Sequence, residues 1–229
     1  MTAVTAESAF AHAFASEECR VVSVDGRSSR LPVEDWTRTA DAADLALLSH
    51  CAGPTVDLGC GPGRMTAALA ARGTIQEIVS SPLTRCRQTA ETVAARLGLS
   101  VRIEEGLRET DFGAWEGLTF AEVRERHAED LDAWLASPKA EPTGGGESFA
   151  TVARRVAATR DRLTAAHAGR TVLLVTHVTP IKTLIRLALG APPESLFRME
   201  LSAASLSAVA YYADGNASVR LLNDTAHLR

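Results

Sequence analysis

The sequence predicts an α/β fold, a three-layer sandwich with a mostly parallel central sheet and an antiparallel edge. Three observations carry this. Short apolar runs, clearest at 171–176, have the β-branched and leucine content of strands buried on both faces. Segments with helical periodicity alternate with these runs, as a parallel sheet with crossover helices requires. Near the C-terminus, the runs 206–212 and 218–222 flank Asp214-Gly215-Asn216, a hairpin signal that supplies the antiparallel edge.

The elements follow in order. The first fifty residues begin alanine-rich, pass a short strand at 20–24, turn at Asp25-Gly26 and reach a helix at 40–50. Residues 55–58 read as a buried strand, Gly59 to Gly63 as a glycine-rich turn, 65–72 as a helix and 77–80 as a strand, together a βαβ unit. A helix at 84–97 has Gly98 in the usual stop position, and 99–103 is a short strand. Thr119 can cap a helix running to Leu135, and Ser148 one running to Ala166, with Phe149, Val152, Val156 and Leu163 along one stripe. Residues 137–146 carry the proline and glycine of a loop, and a helix at 180–189 opens on Pro180.

At 229 residues, 46% hydrophobic and 23% charged, the chain has ample material for a packed core, and disorder and fibrous repeats are excluded. A formal charge of −4, from 24 Lys and Arg against 28 Asp and Glu, offers no broad basic surface for nucleic acid. No apolar stretch approaches the roughly 20 residues of a membrane helix. The N-terminal segment lacks the basic start and apolar core of a leader, so the expected location is the cytoplasm. Cys19, Cys51, Cys60 and Cys86 form no CxxC pair, so they read as reduced thiols, not as a metal or disulfide framework.

Three residues stand where chemistry is expected, each with a plainer alternative. Arg85 follows a strand and opens a helix, where a guanidinium and free backbone N–H groups can hold a phosphoryl group. The plainer role is a surface ion pair with Glu91 or Asp111. His177 ends the 171–176 strand, at the edge where open α/β sheets place ligands, although a lone histidine is more often structural. Glu109 lies beside Asp111 and Trp115 between strand and loop, where the plainer role is a solvated acid.

These residues belong to four segments: Ser80-Ser81-Pro82-Leu83-Thr84-Arg85 with Gln88-Thr89-Ala90; Leu107-Arg108-Glu109-Thr110-Asp111-Phe112-Gly113-Ala114-Trp115-Glu116-Gly117; Gly145-Gly146-Glu147-Ser148; and Val175-Thr176-His177. In order, spacing and placement on strand ends they resemble the histidine phosphatase superfamily, with its phosphoglycerate-mutase-like fold, over residues 68–222. The region is also similar to the phosphatase domain that follows an RNase H domain in some bacterial two-domain proteins. The resemblance implies phosphomonoester chemistry on a small phosphorylated molecule, with no metal or other cofactor. Arg85 would bind phosphate and His177 would be the second active-site histidine. Glu109 would protonate the leaving oxygen, for which partial burial would raise its pKa.

In that superfamily the nucleophile is the histidine of an Arg-His-Gly triplet ending the first strand, and these 229 residues contain no such triplet. The corresponding strand, 55–58, runs instead into Asp57-Leu58-Gly59-Cys60-Gly61-Pro62-Gly63-Arg64. That motif, with Leu31-Pro32-Val33-Glu34 and Trp36 before it, resembles the beginning of a class I S-adenosylmethionine-dependent methyltransferase over about residues 30–72. The resemblance implies S-adenosylmethionine binding, with Asp57 near the methionine amino end and Gly59, Gly61 and Gly63 admitting the cofactor to the backbone. A βα packing turn would use the same letters. The acid expected at the end of the second methyltransferase strand falls near Ser80 or Ser81.

The economical interpretation is a chimera: a methyltransferase-like segment, 1–72, supplies the first strand and helix to a histidine-phosphatase-like body, 73–229. The two join within a helix at 66–73 to form one structural domain. Loss of the nucleophilic histidine would impair phosphoryl transfer. Cys60, at a helix N-terminus, is the nearest substitute, although a buried inert thiol is commoner there. Three functions follow: a phosphomonoester-binding domain with impaired hydrolysis, an S-adenosylmethionine-binding or remnant methyltransferase, and a catalytically silent scaffold. Whether the chain forms a homodimer is left open.

Overall fold

The computed structural model describes residues 19–22, 28–31, 42 and 75–225. The predicted helix at 40–50 lies almost wholly outside the described residues. The 55–58 strand, the Gly59 to Gly63 turn, the 65–72 helix and the joint at 66–73 lie wholly outside them, and with them Asp57, Cys60 and the methyltransferase-like motif. In chain order the elements are β1 (Cys19–Val22), β2 (Ser28–Leu31), β3 (Ile75–Ser80), α1 (Thr84–Leu97), β4 (Val101–Ile103), α2 (Phe120–Arg126), α3 (Ala128–Ala136), α4 (Phe149–Ala166), β5 (Thr171–Val175), α5 (Val178–Ala188), β6 (Leu206–Tyr211) and β7 (Ala217–Asp224).

The architecture is α/β, with a parallel sheet in the order β4-β3-β5 and antiparallel pairs β6-β7 and β1-β2. Alternation along the strands separates two cores. Ile78, Leu173 and Val175 meet Ala90 and Val93 of α1 on one face. Val79, Val172 and Leu174 meet Val152 and Val156 of α4 and Ile181 and Ile185 of α5 on the other. Leu206 belongs to the first core and Val209 to the second, so β6 packs into both layers. Trp115, Val123, Leu131 and Trp134 form a third, smaller core, where the Trp134 and Phe149 rings lie 4.3 Å apart.

Local chemistry explains most boundaries. Gly98 ends α1 in the left-handed conformation, with φ 65°, and its N–H donates to the Ala94 carbonyl. Thr119 and Glu122 form a capping box at the start of α2, and Ser148 caps α4 through the Thr151 N–H. Three predictions need correction. The helix expected from Thr119 to Leu135 is two helices broken at His127, whose φ of −137° and ψ of 41° leave the helical region. The helix after β5 begins at Val178, not Pro180. Proline is tolerated as its third residue because N–H groups of the first turn have no intrahelical acceptor. The strand expected at 20–24, described over Cys19–Val22, pairs with a strand the sequence reading left out, β2, whose Ser-Ser-Arg-Leu sequence has no β-branched signature.

The turn after β4 is set against α4 through Gly106. A Cβ at this position would run into the Thr159 hydroxyl, so only glycine lets the backbone pass. Gly106→Ala is expected to cost about 1–3 kcal/mol of stability, read by urea denaturation. Thr159→Ala in the same chain should recover part of that loss, because it removes the colliding oxygen.

Candidate active site

The site is assembled by strand register. Ser80 of β3 lies opposite Val175 of β5 and Ile103 of β4, so all three strands end together. The Ser81 N–H donates to the Val175 carbonyl at 2.9 Å, and the Glu104 N–H to the Ser80 carbonyl at 2.9 Å, extending both ladders past the strands. Arg85 in the first turn of α1, the 104–111 segment and His177 thus emerge at one carboxyl edge. A cleft of about 1140 Å³ opens there, lined by Arg85, Arg108, Glu109, Arg155 and His177 and walled in part by Leu83, Ile181 and Leu201.

Arg85 does not form the surface ion pairs considered as its plainer role. Glu91 faces Arg87 at 3.7 Å, while Arg85 Nε donates to His177 Nδ1 at 3.2 Å. His177 Nε2 lies 2.7 Å from Ser81 Oγ, and Cys86 Sγ lies 3.4 Å from the same nitrogen. Burial, reinforced by the positive charges of Arg85, Arg155 and Arg108, pushes the His177 pKa down to about 3. The imidazole is therefore neutral in the ligand-free protein. Burial also pushes the Cys86 thiol up to about 12, so it is no nucleophile at neutral pH.

Glu109 is half-buried, not a fully solvated acid. Its Oε1 accepts from the Thr110 N–H at 2.8 Å, and its Oε2 faces the Thr179 N–H, in the first turn of α5, at 3.4 Å. The carboxylate thus stands between the 105–111 turn and the helix that follows His177. Trp115 is buried in the third core, in keeping with an architectural role, and Glu116 accepts from the Phe112 N–H at 3.0 Å.

The sequence reading missed Arg155, which organises the site's outer wall. All five of its N–H hydrogens are committed. Nε and Nη2 grip the two Glu147 carboxylate oxygens at 2.8 and 2.7 Å, and Nη1 and Nη2 reach the carbonyls of Gly106, Arg108 and Glu109 at 3.0, 2.9 and 3.0 Å. Glu147 returns the linkage by accepting from the Asp111 N–H at 3.1 Å. Burial raises its pKa, but the bonds from Arg155 and the Asp111 amide outweigh this and hold the carboxyl below the usual range. The available signal was position: Arg155 lies three residues after Val152 and one before Val156, at the margin of the apolar stripe of α4. Thr176, also passed over, ties the end of β5 to the same turn through a 2.6 Å bond from Oγ1 to the Leu107 carbonyl.

Among the described residues no three His, Cys, Asp or Glu side chains gather as a metal site, and no helix is long and apolar enough to cross a membrane. Asp57, Gly59, Cys60, Gly61 and Gly63 lie outside the described residues, so the structure brings together Arg85, Glu109 and His177 of the sequence-predicted site. The state of His177 has a measurable consequence. The unfolded chain takes up its proton near 6.5 and the fold only near 3, so its stabilising contribution is full above about 6.5 and is lost as the pH falls toward 3. The slope from this one group approaches about 1.4 kcal/mol per pH unit. Denaturant titrations in phosphate-free buffer should show a steeper acid loss for wild type than for His177→Gln.

Comparison with known proteins assigns the chain to a family. Residues 61–225 match the model of the histidine phosphatase superfamily (branch 1), a stretch containing Arg85, Glu109 and His177. The match begins at Gly61, within the segment read as methyltransferase-like. A bifunctional protein of Mycobacterium tuberculosis is 52% identical over 166 residues, which are 72% of this chain and 45% of that protein. The chain thus spans under half the length of that relative. Phosphoserine phosphatase 1 of Hydrogenobacter thermophilus is 31% identical over 165 residues, covering 72% of this chain and 78% of the relative. A mycobacterial glucosyl-3-phosphoglycerate phosphatase, solved in complex with inorganic phosphate, superposes with a TM-score of 0.61 at 26% identity, covering 77% of this chain and 99% of the other. The family match over most of the chain, with relatives on the same fold, makes this protein a member of the histidine phosphatase superfamily.

Proposed function

We propose that the cleft binds phosphomonoesters and that, within these 229 residues, their hydrolysis is impaired. The observation that carries the reading is the pairing of Arg85 with His177 at the carboxyl edge, with Glu109 beside them. A phosphate dianion entering the cleft would take hydrogen bonds from the Arg85 guanidinium and reach His177 Nδ1. Glu109 would protonate the leaving oxygen. A phosphoserine phosphatase among the relatives and a phosphate complex among the structural neighbours support this substrate class.

The impairment concerns the acceptor of the phosphoryl group. The sequence holds no Arg-His-Gly triplet, and His177 is the one histidine lining the cleft among the described residues. Without the histidine of that triplet, covalent transfer to the protein lacks the family's acceptor, while binding and leaving-group protonation keep their residues. Cys60 is the proposed substitute, and it is tested by substitution.

Vanadate or phosphate at about a hundred times its Kd should stabilise the fold by about 2.7 kcal/mol, seen as a rise of several degrees in Tm. Arg85→Ala should abolish the rise. Hydrolysis of p-nitrophenyl phosphate in mildly acidic buffer should be slow and should disappear in His177→Ala, and Cys60→Ala reports whether that thiol contributes. A wild-type protein whose Tm does not respond to either anion contradicts the reading.

A further inference from the structure

We propose that Ser81 is a positioning residue: its hydroxyl oxygen holds His177 in the tautomer protonated at Nε2, leaving the Nδ1 lone pair turned toward Arg85 and the cleft. The assignment follows from the donors present. Arg85 Nε carries a hydrogen and no lone pair, so at 3.2 Å the imidazole Nδ1 must accept. A neutral imidazole has a single acceptor nitrogen. The hydrogen therefore sits on Nε2, and the 2.7 Å contact with Ser81 is donation from the ring to the hydroxyl oxygen. Ser81 Oγ also accepts from the Leu83 N–H at 3.3 Å, so both of its lone pairs are engaged.

The surroundings reinforce the arrangement. Ser81 is fully buried and His177 is 6% exposed, which leaves the ring little room to turn. Cys86 Sγ is close to Nε2, but its thiol has the Thr176 carbonyl as acceptor at 3.5 Å and is a weak acceptor itself. Ser81 is held in place by the continuation of the β3–β5 ladder through its own N–H. Strand register therefore fixes the hydroxyl, and the hydroxyl fixes the ring.

The consequence for the ligand rests on the phosphomonoester reading above. A phosphate oxygen arriving beside Arg85 takes over the guanidinium hydrogen and meets a bare Nδ1. His177 then gains a proton at Nδ1, from solvent or from the ligand's monoanion, and holds phosphate through that N–H while Nε2–H stays on Ser81. Arg85 from α1, Arg108 from the 105–111 turn and Arg155 from α4 oppose an earlier charge on the ring, neutral Cys86 adds none, and the incoming dianion favours it. The proton is therefore taken up with the ligand.

Long-range proton–nitrogen NMR on the histidine-labelled full chain, with His177→Gln for assignment, tests this. The expected ligand-free pattern is a single Nε2–H tautomer, which becomes doubly protonated on adding inorganic phosphate. Ser81→Ala should blur the single-tautomer pattern and raise the phosphate Kd about tenfold, and Ser81→Thr, which keeps the oxygen, should restore both. An Nδ1–H pattern in the wild type overturns the proposal, whatever the folding of the variants. So does an unchanged pattern and Kd in folded Ser81→Ala. An Nε2–H tautomer that depends on Ser81 in a protein indifferent to phosphate leaves the assignment standing and overturns the phosphomonoester reading instead.

Discussion

The hydrogen bond from the Ser81 amide to the Val175 carbonyl carries the parallel ladder of β3 and β5 one residue beyond the end of β3, and the site's inner geometry depends on it. This bond fixes Ser81 beside the end of β5, two residues before His177. With it, Arg85 in the first turn of α1 comes within 3.2 Å of a histidine 92 positions away in the chain. A slip of one residue in this register would exchange the two faces of each strand and send the site residues' neighbours into the wrong core. The two apolar cores, which read the alternation of Ile78 against Val79 and of Leu173 against Leu174, make that slip costly. The packing that stabilises the sheet thus also sets the position of the anion-binding pair.

Arg155 does for the outer wall what strand register does for the inner one. A guanidinium with every hydrogen committed to Glu147 and three successive-turn carbonyls fixes the backbone from Gly106 to Glu109, and so fixes where the Glu109 carboxylate can stand. Lysine could not replace it, because three donors on a tetrahedral nitrogen cannot serve five acceptors in one plane. The arrangement also has an electrostatic effect. After burial, the charges of Arg85, Arg155 and Arg108 are what keep the His177 imidazole neutral.

Much of this was legible in the sequence. The buried strand 171–176, the helix at 84–97 with its glycine stop, the caps at Thr119 and Ser148 and the final hairpin are signals written in neighbouring residues, and the structure follows them closely. Arg85, Glu109 and His177 could be found because each follows a strand within a motif. What the sequence did not disclose is long-range. Nothing local marks His127 as a helix break, although Val123 of α2 and Leu131 and Trp134 of α3 then share one core. Arg155 looked like one more surface arginine on an amphipathic helix, because its acceptors lie 46 to 49 residues earlier in the chain. Ser81 was visible only as a letter in a motif, and its hydroxyl gains meaning from a histidine 96 positions away.

The most direct test of the account is a crystal structure of the chain with vanadate, located by its anomalous scattering. The account predicts vanadium at the carboxyl edge between the Arg85 guanidinium and His177 Nδ1, with the Glu109 carboxylate facing the oxygen that stands for the leaving group. Vanadate bound elsewhere on the molecule, with the Arg85–His177 contact intact and the cleft free of the anion, would contradict it.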